Sequence, residues 1–202
     1  MNTLITREIR QILVIDVGLL LYKIGIIGLG GQSVKIIKYL KKKNIDPICI
    51  FIPKIKEKHK NFRNLSTSFK DIQICNIVFI CSPNHTHFFY IKKLLKDKTK
   101  YIFCEKPPVN NIKDLKALKK LSYSKIYFNY NYRFSHLANI LKNSYKYKLG
   151  KFLYGSLAIG HGLATKKNYH KSWRADKLKT PFGIIEILSI HSIDLIESKN
   201  NF

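Results

Sequence analysis

Short runs that are apolar at nearly every position alternate along the chain with longer segments in which apolar side chains recur at helical spacing. A continuously apolar run predicts a strand covered on both faces, whereas a helix covered on one face repeats its apolar residues every three or four positions. We predict strands at 23–28, 47–52, 74–81, 101–104 and 126–130, and helices at 33–43, 85–96 and 112–121. This regular alternation predicts an α/β fold with a doubly wound parallel sheet of the Rossmann type.

The pattern changes near Gly150. Residues 152–163 alternate more strictly between apolar and polar positions, and residues 182–197 form a segment that would be an apolar helix on nearly every side. We therefore predict three parts: an N-terminal extension at 1–21, a dinucleotide-binding Rossmann domain at 22–135, and an incomplete α+β second domain at 136–202.

Composition narrows the class of protein. Hydrophobic residues make up 46% of the chain, which argues against disorder. The apolar segment 12–21 is interrupted by Asp16, and no uncharged segment has the length of a membrane span, so we expect no membrane insertion. The four cysteines lie in or beside apolar runs without a Cys-x-x-Cys pair. Free thiols of this kind indicate a reducing cytoplasm and neither a disulfide framework nor a metal site.

The formal net charge of +25 raises the alternative of nucleic-acid binding. Lysines are spread almost evenly, however, and arginine, which recognises bases through its planar fork, occurs at only five positions. We therefore rank a basic nucleic-acid-binding protein below the other hypotheses, and expect the positive field to favour acidic or phosphorylated small molecules.

A glycine-rich turn follows the first predicted strand. Gly28 would allow the tight turn, while Gly30 and Gly31 would let the backbone approach a pyrophosphate at the N-terminus of the next helix. Ser33 stands where such turns commonly place a third glycine, and we expect it to loosen the packing of helix against strand slightly. The pattern predicts dinucleotide binding, although glycines alone also fit an ordinary strand–helix turn.

The residues after the second strand bear on the choice of cofactor. NAD-binding domains usually place an acidic residue here for the ribose hydroxyls, but this chain has Pro53, Lys54, Ile55 and Lys56. Lys54 could neutralise a 2′-phosphate, with Lys56 as a second cation, so NADP is favoured over NAD.

Two further polar segments follow buried strands. Ser82 and Asn84 could contact the nicotinamide ribose, or could cap the next helix. Glu105 and Lys106 leave the strand 101–104 at its carboxyl end, where open α/β sheets bind ligands. A lysine at this point could donate a hydrogen bond to a substrate oxygen.

Together these segments resemble the Gfo/Idh/MocA family of oxidoreductases. The resemblance rests on the glycine turn, on Ser82-Pro83-Asn84 with His87, on Glu105-Lys106-Pro107, and on the later segments Asn131-Tyr132-Arg133-Phe134, Trp173-Arg174 and His191-Ser192-Ile193-Asp194. It implies oxidation of a sugar or sugar-derived alcohol by hydride transfer to NAD or NADP, with Lys106 and His191 as the catalytic residues.

The resemblance also assigns the remaining site residues. It places His87, Glu105 and Asn131 near the cofactor, in addition to the residues already named. The substrate-binding positions that it implies are Arg133, Trp173, Arg174 and Asp194.

Two departures from the family pattern affect activity. Ile187 stands four residues before His191, where family members commonly have an aspartate, and the chain stops where the family builds an open sheet for substrate and oligomer contacts. We therefore expect a C-terminally shortened oxidoreductase, which would form a homo-oligomer or need a complementary C-terminal segment. A nucleotide-binding module or inactive fragment without turnover is the alternative.

Overall fold

The computed structural model describes residues 22–97, 99, 101–121, 125–143, 146–148 and 164–199, with the single positions 154, 156, 158, 160 and 162. The predicted extension at 1–21 lies outside the described residues, as does much of the predicted alternation at 152–163. By its internal contacts the chain divides after Asn129 into two compact units. The expected boundary between 135 and 136 stays a prediction.

The first unit is built around six parallel strands. In chain order its elements are β1 (Ile24–Ile27), α1 (Gly31–Lys41), β2 (Cys49–Phe51), β3 (Leu65–Ser66), α2 (Lys70–Gln73), β4 (Ile77–Ile80), α3 (His87–Leu94), β5 (Tyr101–Glu105), α4 (Ile112–Leu118) and β6 (Ile126–Asn129). The strand order is β3-β2-β1-β4-β5-β6, and every neighbouring pair is parallel. The predicted Rossmann-type α/β fold is confirmed.

The two faces of the sheet each carry a hydrophobic core. Successive side chains of a strand point to opposite faces, so Val78 and Ile80 join one cluster while Ile77 and Phe79 join the other. Ile36 and Ile37 of α1 pack into the second cluster. Burial on both faces explains why the central strands are apolar at every position.

Strand order reverses beside β1, and this reversal positions the candidate site. Chain connections run outward to β2 on one side of β1 and to β4 on the other, which opens a crevice at the carboxyl ends of these strands. The glycine turn after β1 and the loop after β4 therefore belong to the same edge of the sheet.

The second unit is helical in its described part. It contains a 3-10 turn at Asn131–Phe134, α5 (His136–Lys142), a π-helical turn at Ile185–Ser189 and α6 (Ile190–Lys199). The predicted apolar helix at 182–197 thus includes a π-helical turn, and Ile184, Ile193 and Ile196 are exposed there. The α+β character of this unit stays a prediction.

Candidate functional site

Gly28 makes the sharp turn at the end of β1. Its φ angle is +91°, and a Cβ atom there would lie 2.9 Å from backbone atoms of Cys81 and Ser82, so a larger residue would be both strained and crowded. Gly30 and Gly31 differ, because a Cβ on either would meet nothing within 4 Å. This open space at the start of α1 is the kind of cradle in which a pyrophosphate can approach the backbone.

Ser33 behaves differently from the expectation that it loosens the turn. The side chain is fully buried, and its hydroxyl donates to the carbonyl oxygen of Gly28 at 2.8 Å. The hydroxyl oxygen of Ser33 also accepts from the backbone N–H of Gly30 at 3.3 Å. The expected loosening was wrong, since the polar side chain is accommodated through hydrogen bonds to the backbone that it packs against.

The segment after β2 presents its cations to solvent. Lys54 and Lys56 are both exposed, directly beyond the buried end of the strand at Phe51 and Ile52. The backbone N–H of Gly28 donates to the carbonyl oxygen of Phe51 at 2.9 Å, so the glycine turn and the end of β2 are adjacent. The lysines therefore follow the strand end at which dinucleotide-binding domains contact the adenosine ribose.

The loop after β4 is held by its own side chains. The hydroxyls of Ser82 and Thr86 share a hydrogen bond of 2.6 Å, and Thr86 also donates to the carbonyl oxygen of Pro83 at 2.7 Å. Asn84 is buried and begins the 3-10 turn Asn84–Thr86 that leads into α3. The segment therefore has a fixed shape at the carboxyl edge of the sheet.

His87 joins this loop to the loop after β5. The side chain is fully buried, with Nδ1 2.8 Å from the carbonyl oxygen of Pro107 and Nε2 2.8 Å from that of Ser82. Burial lowers the pKa of His87, while the two carbonyl contacts oppose that change. Both ring nitrogens therefore contact backbone oxygens, and the predicted place of His87 near the cofactor stays a prediction.

Glu105 and Lys106 follow at the end of β5. The carboxylate of Glu105 accepts a 2.5 Å hydrogen bond from the side-chain amide of Asn129, its register partner on β6. Burial raises the pKa of Glu105, and the hydrogen bond from Asn129, the charge of Lys106 and a hydrogen bond from Gln32 act in the opposite direction. Glu105 thus binds side chains of the protein, and its predicted place near the cofactor stays a prediction.

Asn129 and Gln32 were not predicted from the sequence. Asn129 ends an apolar run, and Gln32 lies between the glycines and Ser33. Both positions therefore lie next to segments that the sequence assigns to the site. Asn129 lies beside Glu105 because β5 and β6 pair in one particular parallel register. The spacing of the two residues along the chain does not predict that register.

The second unit holds the later candidate residues. The rings of Tyr132 and His191 stack with centroids 4.6 Å apart and an interplanar angle of 14°. The guanidinium of Arg133 binds both carboxylate oxygens of Asp194, at 2.7 and 2.5 Å. Arg133 and Asp194 were expected to bind substrate, but the structure pairs them with each other across the 3-10 turn and α6, one turn from His191.

The remaining predicted residues lie in the same unit. Asn131 is partly buried in the 3-10 turn before α5. The guanidinium of Arg174 lies 4.4 Å from the ring centroid of Trp173, and burial lowers the pKa of Arg174. The backbone oxygen of Trp173 accepts from the hydroxyl of Thr180 at 2.9 Å, which fixes the segment that carries both side chains.

Comparison with protein families matches residues 22–126 to the model of the GFO_IDH_MocA oxidoreductase family, described as an NAD-binding Rossmann fold. The matched part is just over half of the chain and contains the glycine turn, the loop after β4 and Glu105-Lys106-Pro107. The chain belongs to this family. Comparison with curated protein sequences gave no match.

Solved structures share the fold. The WlbA (WbpB) dehydrogenase from Thermus thermophilus, solved with NAD and UDP-GlcNAcA, is 20% identical with a TM-score of 0.64, over 89% of this chain and 63% of that one. Scyllo-inositol dehydrogenase from Lactobacillus casei, solved with NAD(H) and scyllo-inositol, is 21% identical with a TM-score of 0.65, over 87% and 55%. The MviM dehydrogenase from Clostridium difficile is 22% identical with a TM-score of 0.61, over 90% and 58%.

The chain therefore spans little more than half the length of these structures. Their low sequence identity makes the likeness one of fold. Within the part of the chain that the structure describes, no helix is long and apolar enough to cross a membrane, and no group of three metal-binding side chains comes together.

Proposed function

We propose that this member of the GFO_IDH_MocA family is an NAD(P)-dependent oxidoreductase that acts on a sugar or sugar-derived alcohol in the cytoplasm. The observation that carries the proposal is the open space over Gly30 and Gly31, at the sheet edge where Lys106 leaves β5. Glycine at these two positions has no steric reason within the protein, since a Cβ would meet no neighbour there. A bound pyrophosphate supplies the reason.

The proposed cofactor site uses residues that surround this edge. Gly28 would make the turn and the open space over Gly30 and Gly31 would admit the pyrophosphate at the N-terminus of α1, while Ser82 and Asn84 would face the nicotinamide half. Asn131 stays a proposed contact from the resemblance alone. His87 and Glu105 are better placed as positioning residues, because their polar atoms already bind the protein.

Lys54 supports a preference for NADP. Its ammonium is exposed beyond β2, and the strand end lacks the carboxylate that binds the two ribose hydroxyls of NAD. A 2′-phosphate would meet a cation there instead of an anion. The WlbA (WbpB) dehydrogenase and the scyllo-inositol dehydrogenase were solved with NAD and NAD(H) respectively, so NADP preference is a proposal for this chain.

The proposed chemistry follows from the family assignment of two residues. The nicotinamide, when bound, supplies the acceptor for the hydrogen that leaves the carbinol carbon with its electron pair. Lys106 would donate a hydrogen bond from Nζ to the substrate oxygen, and the imidazole of His191 would take the hydroxyl proton as general base. Trp173 and Arg174 are the proposed substrate contacts, while Arg133 and Asp194 would act by holding α6.

A sugar-like substrate is favoured by the relatives. One was solved with UDP-GlcNAcA and another with scyllo-inositol, both of which carry secondary hydroxyl groups. The basic character of the chain would favour an acidic or phosphorylated member of this class. A homo-oligomer or a complementary chain segment remains part of the proposal for the complete substrate site.

Titration of the purified chain with NADH and NADPH, followed by nucleotide fluorescence, tests the cofactor site. We expect binding of both, with NADPH tighter, and we expect Lys54→Glu to reverse the order. Lys116→Glu on α4 is the matched control, since it makes the same charge change at an exposed position away from β2. Absence of binding to either nucleotide would refute the oxidoreductase proposal.

An assay of substrate turnover distinguishes an oxidoreductase from a nucleotide-binding module without activity. Formation of NADPH or NADH is measured with a panel of polyols, sugars and sugar acids, with Lys106→Ala as the inactive comparison. Substrate-dependent reduction of the nucleotide that Lys106→Ala abolishes would support the enzyme. Tight nucleotide binding without turnover on any substrate would favour a nucleotide-binding module, and salt-sensitive binding to DNA without nucleotide binding would favour the basic nucleic-acid-binding alternative.

A further inference from the structure

The hydroxyl of Ser33 makes two hydrogen bonds within the glycine turn, one as donor and one as acceptor. A hydroxyl has one donor and two acceptor positions. The donor goes to the carbonyl oxygen of Gly28 at 2.8 Å, and one acceptor position takes the N–H of Gly30 at 3.3 Å. One buried side chain of α1 therefore connects the end of β1 with the turn that follows it.

The two hydrogen bonds of Ser33 hold the backbone of the same turn that a dinucleotide would approach. The N–H of Gly30, at the N-cap of α1, is satisfied by Ser33, while the space over Gly30 and Gly31 stays open. A glycine in place of Ser33 would leave the Gly28 oxygen and the Gly30 N–H without these partners. Four of the six residues at 28–33 would then be glycine. Ordering such a segment at the moment of binding costs conformational entropy.

We propose that Ser33 is a positioning residue that holds the glycine turn in its dinucleotide-binding conformation before the ligand arrives. The serine takes over, by hydrogen bonding, the close fit of helix to strand that a third glycine gives by its small size. This inference rests on the proposed dinucleotide binding and concerns the affinity for the pyrophosphate group shared by NAD and NADP.

The test compares Ser33→Ala and Ser33→Gly with the unmodified chain by fluorescence titration with NADPH and NADH. Loss of the hydroxyl should weaken the binding of both nucleotides about fivefold to tenfold, which corresponds to the free energy of about one buried hydrogen bond. Ser33→Gly should be the weaker binder, because glycine adds backbone freedom to the unbound turn. Hydrogen exchange of the peptide 28–34 should be faster in both variants without ligand, and unchanged for β5 and β6.

Asn111→Ala is the matched control in the same unit. Asn111 caps α4 by accepting from the N–H of Asp114 at 2.8 Å, so its loss also removes one side-chain bond to a helix N-terminus. It should leave nucleotide affinity within about twofold. Equal weakening by Asn111→Ala and Ser33→Ala, or unchanged affinity of Ser33→Ala, would overturn this inference alone. Failure of the unmodified chain to bind either nucleotide would instead overturn the proposed function, and this inference with it.

Discussion

The side-chain amide of Asn129 donates a hydrogen bond to the carboxylate of Glu105 at the carboxyl ends of two neighbouring parallel strands. The bond fixes the last residue of β5, and Lys106 follows immediately in the chain. Burial nevertheless raises the pKa of Glu105, so the hydrogen bonds and nearby lysines do not fully compensate the carboxylate for lost water. The ionised form of Glu105 is therefore kept at a cost to stability.

Glu105→Gln should remove this cost and its pH dependence. A carboxyl group with a raised folded-state pKa stabilises the protein below its ordinary pKa of 4.5, and this contribution is lost as the pH rises through the folded-state pKa. The gain in unfolding free energy of Glu105→Gln should therefore be larger at neutral pH than near pH 4.5. Urea unfolding at both pH values measures it, and a constant difference would contradict the pKa direction.

An added methyl group should reduce stability at Gly28 and nucleotide affinity at Gly30. Gly28→Ala places a Cβ at a φ of +91° and 2.9 Å from the backbone of the neighbouring loop, so we expect a loss of about 2–4 kcal/mol of unfolding free energy. Gly30→Ala meets open space at a φ of −102°, and should cost less than about 1 kcal/mol. The methyl group of Ala at position 30 would occupy the space proposed for the pyrophosphate, and should weaken nucleotide binding about tenfold or more. Thermal melts and nucleotide titration of both variants check this contrast.

The imidazole of His87 should matter for stability in a pH-dependent way. His87→Gln should cost about 1–3 kcal/mol above neutral pH, because one buried carbonyl oxygen loses its donor. Burial lowers the pKa of His87, so its stabilising contribution is present above the ordinary value of 6.5 and is lost as the pH falls through the folded-state pKa. The difference between the two proteins should therefore shrink in acid. His136→Gln, at an exposed position of α5, is the control, and a difference that grows in acid would contradict the assignment.

The sheet could be predicted from the sequence because burial on both faces leaves a local signature. Runs that are apolar at every position marked β1, β4 and β5 to within a few residues. The strand Leu65–Ser66 was missed, since two residues at a sheet edge are too short to show any period. The predicted strand at 74–81 began too early, because Ile74 is exposed in the turn before β4.

The candidate site was predictable where a backbone constraint selects the residue. Gly28 could be assigned to the turn because its conformation excludes other residues. The partners of His87, Glu105 and Arg133 could not be assigned, because each pair joins segments that only the folded chain brings together. Polar residues expected to face a ligand can equally bind each other, and the sequence pattern is the same in both cases.

Arg133 and Asp194 should contribute unequally to stability although they share one ion pair. The side chain of Asp194 is 9% exposed, whereas that of Arg133 is 47% exposed. Arg133→Ala would leave a nearly buried carboxylate without its bidentate partner, and we expect a loss of about 2–3 kcal/mol. Asp194→Ala leaves a cation that water can solvate, and should cost about 1 kcal/mol.

The double variant Arg133→Ala with Asp194→Ala distinguishes this account from simple loss of packing. Once Asp194 is gone, removal of Arg133 should cost little more, so the double variant should resemble Asp194→Ala. Glu57→Ala, which breaks an exposed pair with Lys60, should change the unfolding free energy by less than about 0.5 kcal/mol. Urea unfolding of the four proteins measures the cycle. Additive losses from Arg133→Ala and Asp194→Ala would show that the two side chains act separately, and that their pairing does not hold α6, the helix that carries His191, in place.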